Sequence, residues 1–183
     1  MATFSERIPE KDVAFSVFVA CVIPVHIWSI LIYLQSVPGL MLKMPFWDMV
    51  GVFAYTQAFA LFESLLLTLL ILGAAVLLPG RVLRDDLAVN GAVIMFVLTI
   101  WLGLTHLSPR GVRDAIYTSA QAAVVWSTAL LITIGVALWL AQRWERLALT
   151  TGQIMSRFTV LAVVYLAVDA MSILIIIFRN LSQ

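Results

Sequence analysis

Five long apolar runs dominate the chain, and its polar residues gather in the short stretches between them. A hydrocarbon core of about 30 Å is crossed by about 20 helical residues. The pattern therefore predicts membrane spans over residues 13–34, 52–78, 87–107, 117–141 and 158–178. The runs are continuous, whereas a transmembrane barrel needs short segments that alternate apolar and polar. The expected fold is all-α: a polytopic membrane protein built as one five-helix transmembrane bundle with short loops, covering residues 1–183 as a single domain.

Turn-forming residues punctuate the runs: Pro38-Gly39 and Pro45 after the first, Pro79-Gly80 after the second, Ser108-Pro109 and Gly111 after the third. Leu78-Pro79-Gly80 reads as a helix stop, because proline has no N–H to continue the ladder. The connection over residues 35–51 is nearly as apolar as a span, with Leu40, Met41, Leu42, Phe46 and Trp47. Such a segment is expected to lie in the interface or under a partner rather than fold back as a flap, since two prolines limit a re-entrant helix. Trp47, Trp139, Tyr33 and Tyr117 fall near span ends, where an aromatic belt places them.

Composition agrees with this reading: 63% of residues are hydrophobic, 11% are charged, and the mean hydropathy is +1.06. The net charge of +1 supplies no basic field for nucleic acid. A single cysteine, Cys21, allows neither an intrachain disulfide nor a multi-cysteine metal site. The first apolar run follows Arg7 and Lys11 and is expected to be an uncleaved anchor, because it continues well past the length of a signal h-region. With five crossings the basic residues choose the orientation. Arg7, Lys11, Arg81, Arg84, Arg143, Arg146 and Arg157 lie on one side, against Lys43, Arg110, Arg113 and Arg179 on the other, so a cytoplasmic N-terminus and an external C-terminus are expected.

Three ionisable residues sit where ions are expensive. A charge near the bilayer centre costs about 2.5–3.5 kcal/mol on insertion scales. From the rise per residue, Asp169, Glu63 and His26 fall ~1.5, ~3 and ~4 Å from the midpoints of their predicted spans, all displaced towards the expected outer side. His26 shares a helical face with Ser29 and Tyr33, Glu63 with Thr56, Phe59 and Ala60, and Asp169 with Ala162, Tyr165 and Ser172. Small and polar stripes of this kind suit an interior face. His26, Glu63, Asp169 and Tyr165 are therefore expected to form one polar cluster, serving as interhelical glue or holding a proton or small cation, with Gln57 and Gln121 at its entrance. No Lys or Arg lies near the midplane of any span, so a compensating cation from another subunit is a further expectation.

Other chemistry finds less support. His106 lies ~9 Å off the level of His26 along the bundle, which disfavours a bis-histidine haem, and no cofactor is expected. Zinc-protease, phosphate-loop, dinucleotide and serine-hydrolase motifs are absent from the sequence, so no catalytic or metal-binding residues are assigned. His106, Arg110 and Arg113 form a charged turn suited to lipid headgroup contact. The expected function is that of a non-catalytic membrane subunit or accessory of a larger assembly, partnered by the lipid bilayer and by other membrane subunits or its own copies. The alternative is a small oligomeric proton- or cation-coupled channel or transporter.

Overall fold

The computed structural model of the protein describes residues 9–77 and 86–181, save the side chains of residues 145–149, 152 and 156. Among the described residues six helices follow in order: α1 (Lys11–Met41), α2 (Phe46–Leu77), α3 (Leu87–Leu107), α4 (Arg110–Thr118), α5 (Ala120–Arg143) and α6 (Glu145–Leu181). Five of them, all but α4, are long and apolar enough to cross a membrane. There is no strand among the described residues. The Leu78-Pro79-Gly80 stop, the charged connection with Arg81, Arg84 and Asp85, and the basic lead-in at Arg7 lie outside the described residues.

The third span has the bounds read from sequence, and the others are displaced for identifiable reasons. Because the apolar run does not end at Leu34, α1 continues through Pro38 to Met41, and α2 begins at Phe46. The greasy connection is thus two helix extensions joined by a tight turn, in which the Lys43 and Met44 amides donate to the Leu40 carbonyl. The fourth span starts at Ala120 rather than Tyr117. Ser119 adopts an extended backbone and its hydroxyl accepts from the Ala122 amide at 3.4 Å, capping α5 and leaving Tyr117 in the short amphipathic α4. The helix of the fifth span, α6, reaches back to Glu145, so residues expected as a connection form its first turns.

Helix α1 is the axis of the bundle. At the end holding its N-terminus, Val17, Ala20 and Cys21 pack with Ile71 and Ala75 of α2 and with Leu87, Ala92 and Met95 of α3. Gly91 makes this approach possible, since a Cβ there would stand 3.1 Å from Val17 Cγ2 and 3.7 Å from Ile71 Cγ2. Next to this cluster, Val19, Val22 and Ile23 pack with Ala162 of α6. Helix α2 turns towards the core a stripe of mostly small or polar residues, Gly51, Ala54, Gln57, Ala60, Ser64 and Thr68, spaced by three or four. Helix α5 is peripheral, with only Leu138 and Ala141 buried.

At the far end, which holds the α1–α2 turn, Arg179 of α6 clamps the start of α2. It donates to Asp48 Oδ1 at 2.6 Å and to the Trp47 carbonyl at 3.3 Å, and its guanidinium passes over Gly51, where a Cβ would collide with it. The side chains remain 27% and 43% exposed. Exposed pairs of this kind contribute little. Arg179→Met is therefore expected to lower stability by no more than ~1 kcal/mol, read as a small shift in the unfolding midpoint in detergent.

Candidate functional site

Burial divides the polar residues of the spans into a closed pair and an open cleft. The pair joins α1 to α6. His26 and Asp169 are 0% and 1% exposed. The His26 Nδ1–H donates to the Val22 carbonyl at 2.9 Å, one turn back on α1. Nε2 then faces the Asp169 carboxyl group, 3.0 Å from Oδ1 and 3.1 Å from Oδ2. With Nδ1 carrying its own proton, one further proton lies between Nε2 and the carboxyl group. Wherever it resides, as imidazolium with carboxylate or imidazole with carboxylic acid, the pair is neutral overall, which reconciles it with a dry interior.

Local sequence explains the placement. Tyr165 and Asp169 are four apart on α6 and so share a face. Tyr165 stacks on the imidazole, with ring centroids 5.0 Å apart and planes inclined by 28°. Ala162, fully buried one turn earlier, and Ser172, 2% exposed, complete the small and polar stripe that brings α6 close to α1. Ser29 and Tyr33 continue the His26 stripe towards the far end. Their hydroxyls donate to the Thr56 carbonyl at 3.5 Å and the Met49 carbonyl at 3.1 Å.

Glu63 does not join the pair. It is exposed, and it has no hydrogen bond or ion pair among the described residues. It lines a cleft of about 500 Å³ bounded by α1, α2, α3 and Leu130 of α5. Helices α2 and α3 approach at Ile71 and Gly91, where a Cβ on the glycine would stand 3.7 Å from Ile71 Cγ2. Glu63 and Thr99 each lie eight residues beyond that contact, ~12 Å along their helices, and so face the cleft at one level. Pro24, Trp28, Phe59 and Trp101 supply much of the remaining lining.

No family model matches the chain, and comparison with curated proteins and with solved structures gave no match. The chemistry of the cleft and of the pair is thus read from the residues themselves.

Gln57, assigned from sequence to an entrance, is instead 0% exposed, and neither its Oε1 nor its Nε2 has a partner among the described residues. Gln121 is exposed in the first turn of α5. The three residues of the charged turn are held in different ways. His106 meets the Trp28 ring edge-on at 5.2 Å, which puts it beside the cleft. Arg113 donates to the His106 carbonyl at 3.4 Å, at the C-terminal end of α3. Arg110 is exposed at the start of α4.

Two features escaped the sequence reading. The Asp48–Arg179 clamp carried a signal, since opposite charges flank the same end of the second and fifth spans. The tryptophan group carried none: Trp101 contacts Trp126 at 4.8 Å, and the Trp126 indole donates to Thr105 Oγ1 at 3.1 Å. Trp101 Nε1 is buried without a partner among the described residues, although the ring lines the cleft. The described residues contain no group of three His, Cys, Asp or Glu able to hold a metal ion.

Proposed function

We propose that this integral membrane protein is a non-catalytic accessory of a larger membrane assembly, and that its lateral cleft receives a positively charged group from another membrane component. The observation that carries the reading is Glu63: a carboxylate well inside a span, open to an apolar cleft, with no cation meeting it among the described residues. A charge at that depth is retained at a cost unless an opposite charge joins it. The His26–Asp169 pair has a separate role in this reading. It is neutral and enclosed, so it fixes α1 against α6 without asking for an external partner.

Conduction through His26, Glu63 and Asp169 gains less from this arrangement. The pair is shut off from its surroundings, and Gln57 lies in the core rather than at an opening. Native mass measurement of the gently extracted protein tests the accessory reading. The wild-type chain is expected to carry a stoichiometric membrane companion, another subunit or a second copy, that Glu63→Gln loses. A well-folded wild-type monomer with nothing bound would overturn it, as would the same companion on both proteins.

A further inference from the structure

We propose that the positively charged group received by the cleft is a lipophilic organic cation, an ammonium, phosphonium or similar ion on an apolar body, entering sideways from the hydrocarbon. The proposal rests on the reading of Glu63 as an acceptor of positive charge and names the chemistry it accepts. Three observations set the class. First, the walls are aromatic and aliphatic around a single carboxylate: Trp28, Phe59 and Trp101 surround the cleft that Glu63 lines, with Met95 and Leu98 beside them. Indole and phenyl faces attract organic cations through their quadrupoles, most strongly where water is excluded.

Second, a hard divalent metal ion finds too few oxygen ligands there. The hydroxyls lining the cleft are those of Ser29, Thr56 and Thr99, and each donates to a backbone carbonyl, that of Thr56, Val52 and Met95 respectively. A hard divalent cation takes about six or more oxygens, whereas an organic cation keeps its apolar body against apolar walls and needs only the one opposite charge. Third, the size suits a molecule. About 500 Å³ lies within the range of small-molecule sites and far exceeds one bare ion. Access is lateral, because Phe59 and Glu63 line the cleft and are both exposed on the flank of α2, within its span.

Tetraphenylphosphonium, a membrane-permeant organic cation, is the probe. The full chain is reconstituted in phosphatidylcholine nanodiscs and titrated while tryptophan fluorescence is followed, since Trp28 and Trp101 border the site. Saturable binding is expected for the wild-type protein, at least tenfold weaker for Glu63→Gln and at least threefold weaker for Trp101→Leu. Glu63→Asp, which retains the charge, is expected to stay within threefold of wild type. Equal thermal unfolding midpoints for wild type, Glu63→Gln and Glu63→Asp confirm that the carboxylate variants are folded. Wild-type protein without saturable binding, or Glu63→Gln binding as tightly as wild type, would overturn the proposal. Native masses from the same preparations separate the two readings. A Glu63-dependent protein companion with no phosphonium binding removes the organic cation and keeps the acceptor. Phosphonium binding to a companionless monomer keeps the cleft chemistry and removes the assembly.

Discussion

Asp169→Ala is expected to destabilise the protein by about 3–5 kcal/mol, the usual cost of removing one member of a buried ion pair. The variant leaves His26 enclosed, its Nε2 deprived of the carboxyl group and its Nδ1 still committed to the Val22 carbonyl. Neither protonation state of the ring then has a partner for Nε2. Asp169→Asn retains an oxygen and an amide in the same place, and is expected to lose only about 1–2 kcal/mol. Replacing both residues, as His26→Leu with Asp169→Leu, removes the two polar groups together and is expected to recover most of the loss. Detergent or nanodisc unfolding midpoints for the four proteins decide the matter. If the double variant were less stable than either single one, the pair would be holding the bundle by attraction alone, and neutrality of the buried unit would not be the controlling term.

This ordering bears on function through the division between pair and cleft. A neutral, enclosed pair can be replaced by aliphatic side chains and leave the Glu63 cleft intact, because His26 meets α6 on one face of α1 while the cleft is lined by other α1 positions, Pro24, Val25, Trp28, Ser29 and Ile32, together with α2 and α3. The double variant is thus expected to retain whatever the cleft binds. A pair that served as a relay would not tolerate the exchange.

How far the sequence could be read follows from what a helix encodes. Depth is legible: it comes from counting residues at a fixed rise, and so His26 and Asp169 were expected at one level and are found in contact. Rotation about the helix axis is much less so. In a membrane both the lipid-facing and the core-facing sides are apolar, so a span that is hydrophobic all round gives no contrast from which to orient it. Gln57 and Glu63 show the consequence. Six residues at 100° each put them about 120° apart on α2, and only one of the two can point into the core. The polar Thr56 and the small Ala60 suited Glu63 equally well, yet the structure turns the stripe of Ala54, Gln57, Ala60 and Ser64 inward. Ala60 belongs to both stripes, which is why small size alone did not discriminate. Where connections are apolar, the expected span boundaries fell short for a related reason. An apolar connection extends a helix at no cost, so α1 and α2 ran on to a four-residue turn over 42–45, whereas Ser108-Pro109 imposed an end that composition could mark; the Ser119 cap, three residues into the expected fourth span, was not read.

Gln57→Met is expected to stabilise the protein, an unusual sign for a core substitution. The wild-type amide is fully buried, and both its oxygen and its nitrogen are without partners among the described residues. Such groups cost about 1–3 kcal/mol in lost hydrogen bonding. Methionine is unbranched, similar in length and adaptable in shape, so it fills the space while deleting the polar atoms. A gain of about 1–3 kcal/mol follows if the surrounding stripe of Ala54, Ala60 and Ser64 does not move. Gln57→Ala separates polarity from volume. It removes the same amide and leaves a void between α2 and its neighbours, and a void of that kind costs about 2–5 kcal/mol, so its unfolding midpoint is expected to fall as that of Gln57→Met rises. A fall in both would mean that the amide is satisfied in the membrane and contributes more than its packing. A rise for methionine would identify Gln57 as a residue kept against stability, the place to look next for a role that the Glu63 cleft does not explain.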